Sequence, residues 1–271
     1  MDKGKVCKAL RDDDMPDSGG KKRDWGAKDR VFDSTHSKLM ERATAETDTY
    51  IIPEYTPVSN QGSFGTCAAN AGVDLFEMLL GLEQGPEAVV QFSRMFAYRL
   101  ARVLHKATDV DEGTYLRAIF TQLRKIGIIE EKYFPYKKEN LFKLPPLDLY
   151  TMASNNRIHS FYRIKDKGDK KLEQIRFAIR LDHPVAFAIP VSKDFCRYKG
   201  GNYTWRDMDD SVGNHAMIIT GMSTVGDQER FLIRNSWGER WGDKGHCWMD
   251  AGLVEQLAYD MWVGTRMREF I

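Results

Sequence analysis

From Ile51 onward the chain alternates apolar blocks with polar breaks marked by glycine or proline, whereas the residues before it show almost no apolar rhythm. In the stretch that follows Cys67, Ala71, Leu75, Met78 and Leu82 recur at helical spacing. A buried helix is therefore predicted, with Cys67 at its entrance and Gly81 as a stop. A second helix is predicted from Ser93, its N-cap, to about residue 105. A third covers about 114–125, where Leu116, Ile119, Phe120 and Leu123 mark one face and Gly127 the end. After Pro145-Pro146 the texture turns toward strands. One helix at about 171–181, closed by Pro184, precedes the buried strand PVAFAIPV, and a Gly- and Asp-rich loop at about 199–213 leads to three more strand candidates, AMIITGM, RFLIRNSW and HCWMD. A helical half is thus followed by a β-rich half with no internal repeat, and the boundary of two such halves is a common place for a cleft.

Residues 1–48 are polar and charge-dense, with an acidic cluster at Asp12, Asp13 and Asp14, a basic one at Lys21, Lys22 and Arg23, and Trp25, Val31, Phe32 and Leu39 as the apolar anchors. That is too little apolar surface for a core of its own. The segment reads either as a solvated leader or as one whose anchors dock on the folded body, across a functional cleft.

Composition narrows the class. Lysine and arginine total 40 against 39 aspartates and glutamates, a formal charge of +1, which argues against nucleic acid as the main partner. Hydrophobic residues at 42% allow a real core. No run approaches the roughly 18 apolar residues of a membrane span, and the first twenty positions lack a signal-peptide pattern. A cytoplasmic location is the default expectation, with export by a non-standard route left open, no membrane partner and a monomeric state. The four cysteines, Cys7, Cys67, Cys196 and Cys247, are too few and scattered for a disulfide scaffold or a CxxC metal site. Cys196 and Cys247 could pair only with Cα atoms within about 7 Å, so two unbridged thiols are expected.

Among these thiols Cys67 is the best nucleophile candidate, because a helix N-terminus favours the thiolate. Alone it would more commonly be an inert buried residue. It needs a base, and of six histidines His215 has the most suggestive context, between a glycine-containing loop and the strand AMIITGM. Asn235, at the end of RFLIRN, could orient its ring.

The run Pro57 to Ala69, PVSNQGSFGTCAA, resembles the active-site segment of papain-like cysteine peptidases; Asn214-His215-Ala216 with its apolar strand resembles the family's histidine segment, and Asn235-Ser236-Trp237-Gly238 through Gly245 its asparagine segment. His215 lies within, and Asn235 beyond, the interval of roughly 130 to 150 residues expected downstream of such a cysteine, so an insertion near 224–229 is expected to absorb the excess. Weaker similarity covers Glu112-Gly113-Thr114-Tyr115 and Gly127 through Tyr136. The resemblance implies an α+β, papain-like two-domain fold: a leader over 1–48 covering the cleft, a mainly helical domain over 49–150 with Cys67, and a mainly β, barrel-like domain over 151–271 with His215 and Asn235. It implies a cysteine endopeptidase of the short-leader bacterial type acting on peptide or protein substrates, without metal or organic cofactor. Cys67 would be the nucleophile, His215 the acid and base, Asn235 its orienting partner and Gln61 an oxyanion-hole donor; Gly65, Glu112, Gly113, Asn214 and Trp237 would line the substrate site. Trp237 would also shield the His215–Asn235 hydrogen bond. Phe64 stands where many members have a cysteine that closes a disulfide, so that bridge is absent here. Two other outcomes stay open: a silent binding protein on the same fold, and an acyl transferase using the same thioester.

Overall fold

The computed structural model describes residues 29–32, 48–104, 110–204 and 211–266; Cys7, Trp25, Leu39 and the clusters at Asp12 and Lys21 fall outside the described residues. The first half folds as a short strand β1 (Thr49–Ile51) and helices α1 (Cys67–Gln84), α2 (Arg94–Leu104), α3 (Leu116–Lys125) and α4 (Leu147–Ala153). The second runs β2 (Ser160–Ile164), α5 (Asp169–Arg180), β3 (Val185–Ser192), α6 (Lys193–Cys196), β4 (Asn202–Tyr203), β5 (Ser211–Val225), β6 (Gln228–Arg234), β7 (His246–Asp250), α7 (Ala251–Leu257) and β8 (Tyr259–Thr265).

Helix α1 is the hub. Every residue from Cys67 to Gly81 is buried, because the helix packs on α2 and α3 and on β5 of the sheet. Gly81 does not stop it. A Cβ there would lie 2.2 Å from the Tyr55 ring, so the glycine admits that ring against the helix, which continues to Gly85 at φ +86°. Ser93 caps α2: its Oγ accepts the Phe96 N–H at 3.0 Å and donates to Phe134 O at 2.5 Å. Helix α3 starts at Leu116 and ends before Gly127, whose N–H returns to Gln122 O at 3.0 Å.

Among the described residues the strands form one open sheet in the order β2-β8-β3-β5-β6-β7-β4, not closed into a barrel, with β1 added on β5. All pairings are antiparallel except β4 with β7. The long β5 is the spine. Its first part lies against β3, with His215 opposite Ile189, and its second part against β6 and β1. The extra length between His215 and Asn235 is taken up by the β5–β6 hairpin, which runs out to Val225 opposite Gln228 and turns at Gly226. Strand β5 begins at Ser211 and so takes in the last three residues of the expected loop.

Ahead of β1, residues 29–32 strap the two layers together. Phe32 is buried against Tyr162 and Phe177, with its N–H on Arg163 O (3.0 Å) and its own O taken by Gln174 Nε2 (2.7 Å). Asp29 pairs with Arg117 of α3 at 2.7 Å. This anchorage is on β2, three strands from the one that carries His215.

Candidate active site

Cys67 is the first residue of α1, buried and in no disulfide. First-turn N–H groups have no acceptor within the helix, and with the macrodipole they favour an anion at this place. Thr66, just before it, is gripped from inside the helix by Asn70, whose side-chain Nδ2 donates to Thr66 O at 2.9 Å and Oγ1 at 3.1 Å.

His215 is fully buried on β5. Its Nε2 lies 2.7 Å from Asn235 Oδ1, which also accepts the Ser236 N–H at 2.7 Å. An amide oxygen only accepts, so Nε2 carries the proton and Nδ1 presents the lone pair of the neutral ring. Nδ1 is buried with no hydrogen-bond partner among the described residues. The Trp237 ring stacks on the imidazole with centroids 4.5 Å apart and planes 23° from parallel, and it is braced edge-on by Phe195 and Trp241. A covered hydrogen bond of this kind is stronger than a solvated one. Register explains the meeting: β6 ends with Arg234 opposite Ile218, so the next residue, Asn235, runs back alongside His215.

Gln61 is buried and tied to the asparagine segment. Its N–H donates to Ser236 O at 2.9 Å, its Oε1 accepts the Ser236 hydroxyl at 2.7 Å, and its Nε2 donates to Phe64 O at 3.0 Å. With Oε1 taken, the donor end of the amide is turned toward the Phe64 side of the loop that leads to Cys67. The Tyr136 hydroxyl, in contact with Thr66 Oγ1, donates to Gln61 O at 2.9 Å, so one phenol braces both ends of that loop.

The remaining expected site residues group less tightly. Gly65 and Gly113 meet: a Cβ on Gly65 would lie 3.0 Å from Gly113 N. Glu112 beside them is exposed, and Asn214 is half-buried on β5 opposite Pro190. Cys196 and Cys247 are unbridged; burial pushes the Cys247 thiol up to about 12 and raises Cys196 as well. Among the described residues no cluster of three or more His, Cys, Asp or Glu could hold a metal ion, and no helix is long and apolar enough to cross a membrane.

The sequence model of the papain family cysteine proteases matches residues 46–261. The chain belongs to this family. It is 27% identical over 222 residues to an uncharacterised peptidase C1-like protein of Acanthamoeba polyphaga mimivirus, covering 78% of this chain and 70% of that protein. It is 25% identical over 201 residues to pro-cathepsin H of Mus musculus, covering 73% of this chain and 57% of that one. Among solved structures, the cysteine protease xylellain of Xylella fastidiosa superposes with a TM-score of 0.80 at 22% identity, over 98% of this chain and 97% of that one. A Carica candamarcensis cysteine protease solved in complex with E-64 gives 0.65 at 19% identity, over 82% of this chain and all of that one. As a member of the papain family the chain is of the cysteine-type peptidase class, and its α+β fold is the family's.

Three residues of the site carried no role in the sequence reading. Ser236 and Tyr136 lie inside stretches that resemble the family, but their partners are distant in the chain, 175 and 75 positions for the bonds to Gln61. Asp111, next to Glu112, takes the Gly65 N–H on both carboxylate oxygens, at 3.1 and 2.9 Å.

Proposed function

We propose that the chain is an endopeptidase that cleaves peptide bonds through an acyl-thioester on Cys67. The observation that carries this reading is the His215 ring, held by Asn235 at 2.7 Å with its other nitrogen buried and unpaired among the described residues. In that arrangement the Cys67 thiol gives its proton to His215 Nδ1, the thiolate attacks the carbonyl carbon, and the same proton passes from Nδ1 to the leaving amine as the C–N bond breaks. Water then attacks the thioester, giving its proton to Nδ1, and the C–S bond breaks to release the acid and return the Cys67 thiolate. Gln61 Nε2 and the Cys67 N–H stabilise the oxyanion formed in each half. Cys67→Ala is expected to abolish both turnover of peptide substrates and labelling by a thiol-directed epoxide; turnover that persists in this variant would exclude the mechanism. An acyl transferase would betray itself by products carrying an added amine, and a silent binding protein by stoichiometric Cys67 labelling without turnover.

The groove would accept an extended peptide past Gly65 and Gly113 and across Trp237 and Asn214. Exposed Glu112 beside Gly113 supports a preference for basic side chains on that side, which Glu112→Gln should weaken relative to neutral peptides. Residues 1–48 would act as a leader that moderates activity, held to the body through Phe32 and Asp29. Removing them should raise catalytic efficiency; unchanged efficiency and stability would end that reading.

A further inference from the structure

The loop between Gln61 and Cys67 has to keep two donors, one from each end, at a fixed separation if both are to meet one oxyanion. Its Gln61 end is fixed by Ser236 and Tyr136. Its Cys67 end is reached through Gly65, whose N–H points at the carboxylate of Asp111. Gly65 permits this approach because a Cβ there would lie 2.8 Å from Asp111 Oδ1. The carboxylate is itself held. The Tyr98 hydroxyl donates to Asp111 Oδ1 at 2.6 Å and receives the Gly113 N–H at 3.3 Å. Arg102, one turn further along α2 and lying 5.8 Å over the Tyr98 ring, donates to Gly113 O at 2.6 Å and to Val110 O. Tyr98 and Arg102 are both buried, so this side of the tie has a rigid footing on α2. A hydrogen bond to an ionised acceptor is roughly twice as strong as a neutral one.

We propose that Asp111 is a positioning residue of the peptidase reaction: by holding the Gly65 N–H it sets the distance between the Gln61 and Cys67 oxyanion donors. The tie contains no sulfur, so reductant leaves it intact. The proposal rests on the catalytic reading above. It predicts a loss confined to states that carry an oxyanion, since a misplacement of about 1 Å at such a site can cost on the order of a hundredfold in rate.

The test compares wild type, Asp111→Ala, Asp111→Asn and Tyr98→Phe, with Cys67→Ala as control. Measured quantities are kcat and KM on a peptide amide, the affinity of a peptide aldehyde whose thiol adduct bears the oxyanion, and the rate of Cys67 alkylation by iodoacetamide, which forms none. Asp111→Ala should lower kcat and aldehyde affinity together by about tenfold to a hundredfold, with KM and alkylation changed less than about threefold. Asp111→Asn, which keeps one acceptor oxygen, should recover most of the loss. Tyr98→Phe, which removes the bond to Asp111 and the acceptor of the Gly113 N–H, should fall between Asp111→Ala and wild type, and it keeps the test open should Asp111→Ala fail to fold. Unchanged kcat in Asp111→Ala, or in Tyr98→Phe should Asp111→Ala fail to fold, or alkylation falling in step with kcat, would overturn the positioning role. Turnover surviving in Cys67→Ala would instead overturn the catalytic assignment beneath it.

Discussion

Arg234 Nε lies 3.3 Å from Asp74 Oδ2 with both side chains almost wholly buried, and this pair joins the helix headed by Cys67 to the strand that delivers Asn235. Asp74 also receives Arg94 at 2.5 Å, and Arg94 reaches Glu77 at 2.9 Å. Arg234 further donates to Glu54 and to the carbonyls of Thr56 and Pro57, and Glu54 accepts from His246 at 2.7 Å. Buried charges of this kind are costly unless each is matched. Asp74→Ala would leave two buried guanidinium groups sharing fewer carboxylates, and is expected to cost about 3–5 kcal/mol of stability. Urea unfolding measures it. A loss below about 1 kcal/mol would mean that the network is not what holds the two layers in register.

Gln61 offers a cleaner probe of the chemistry than the nucleophile does. Its Oε1 is engaged by Ser236 and its Nε2 donates to Phe64 O, so the amide has one orientation. Gln61→Ala should lower kcat by about 10² to 10³, the usual cost of one oxyanion donor, while Cys67 alkylation by iodoacetamide stays within a few-fold. Equal losses in both would show that Gln61 serves the shape of the loop and not the oxyanion.

The elements with a clear period were legible before the structure, and Cys67, His215 and Asn235 stood out as candidates because they lie in short motifs whose order is informative. The Ala71-Leu75-Met78 spacing marked α1, and Ser93 and Gly127 marked the limits of α2 and α3. Strands β2 and β8 were not read. Strand β8 is buried on both faces from Asp260 to Thr265, which removes the alternation that identifies a strand. Ser236, Asp111 and Tyr136 were invisible for a different reason: each acts through hydrogen bonds to residues far along the chain, and no local pattern encodes such partners. Phe32 shows both limits, since its apolar character announced an anchor while the place of docking, on the β2 edge, depended on the folded sheet.

Gly81 was misread as a helix stop because glycine in a helix is unfavourable and its usual use is at the end. Here the Tyr55 ring takes the volume of the missing side chain. On an exposed helix, glycine to alanine would stabilise by about 1 kcal/mol. At this site the overlap should reverse the sign, and Gly81→Ala is expected to destabilise by about 1–3 kcal/mol. Truncating the ring in Gly81→Ala/Tyr55→Ala should make the second change less harmful than it is alone. Simple additivity in that double-mutant cycle would rule out the contact as the cause.

His183 gives the fold a defined acid sensitivity. It is half-buried just after α5, its Nδ1 3.2 Å from Gly264 O, and desolvation pulls its pKa down from 6.5 to about 4. In the unfolded chain the ring takes up a proton near its ordinary value, so between pH about 6.5 and 4 the unfolded state binds more protons than the folded one. Stability therefore falls as the pH drops through that window, by about 3 kcal/mol in all, and flattens below it. His183→Gln removes this titration whatever it does to stability at neutral pH. Unfolding free energies measured at pH 7.5 and pH 4 should differ by about 3 kcal/mol less in the variant than in wild type. An identical pH dependence in the two proteins would place the acid sensitivity elsewhere.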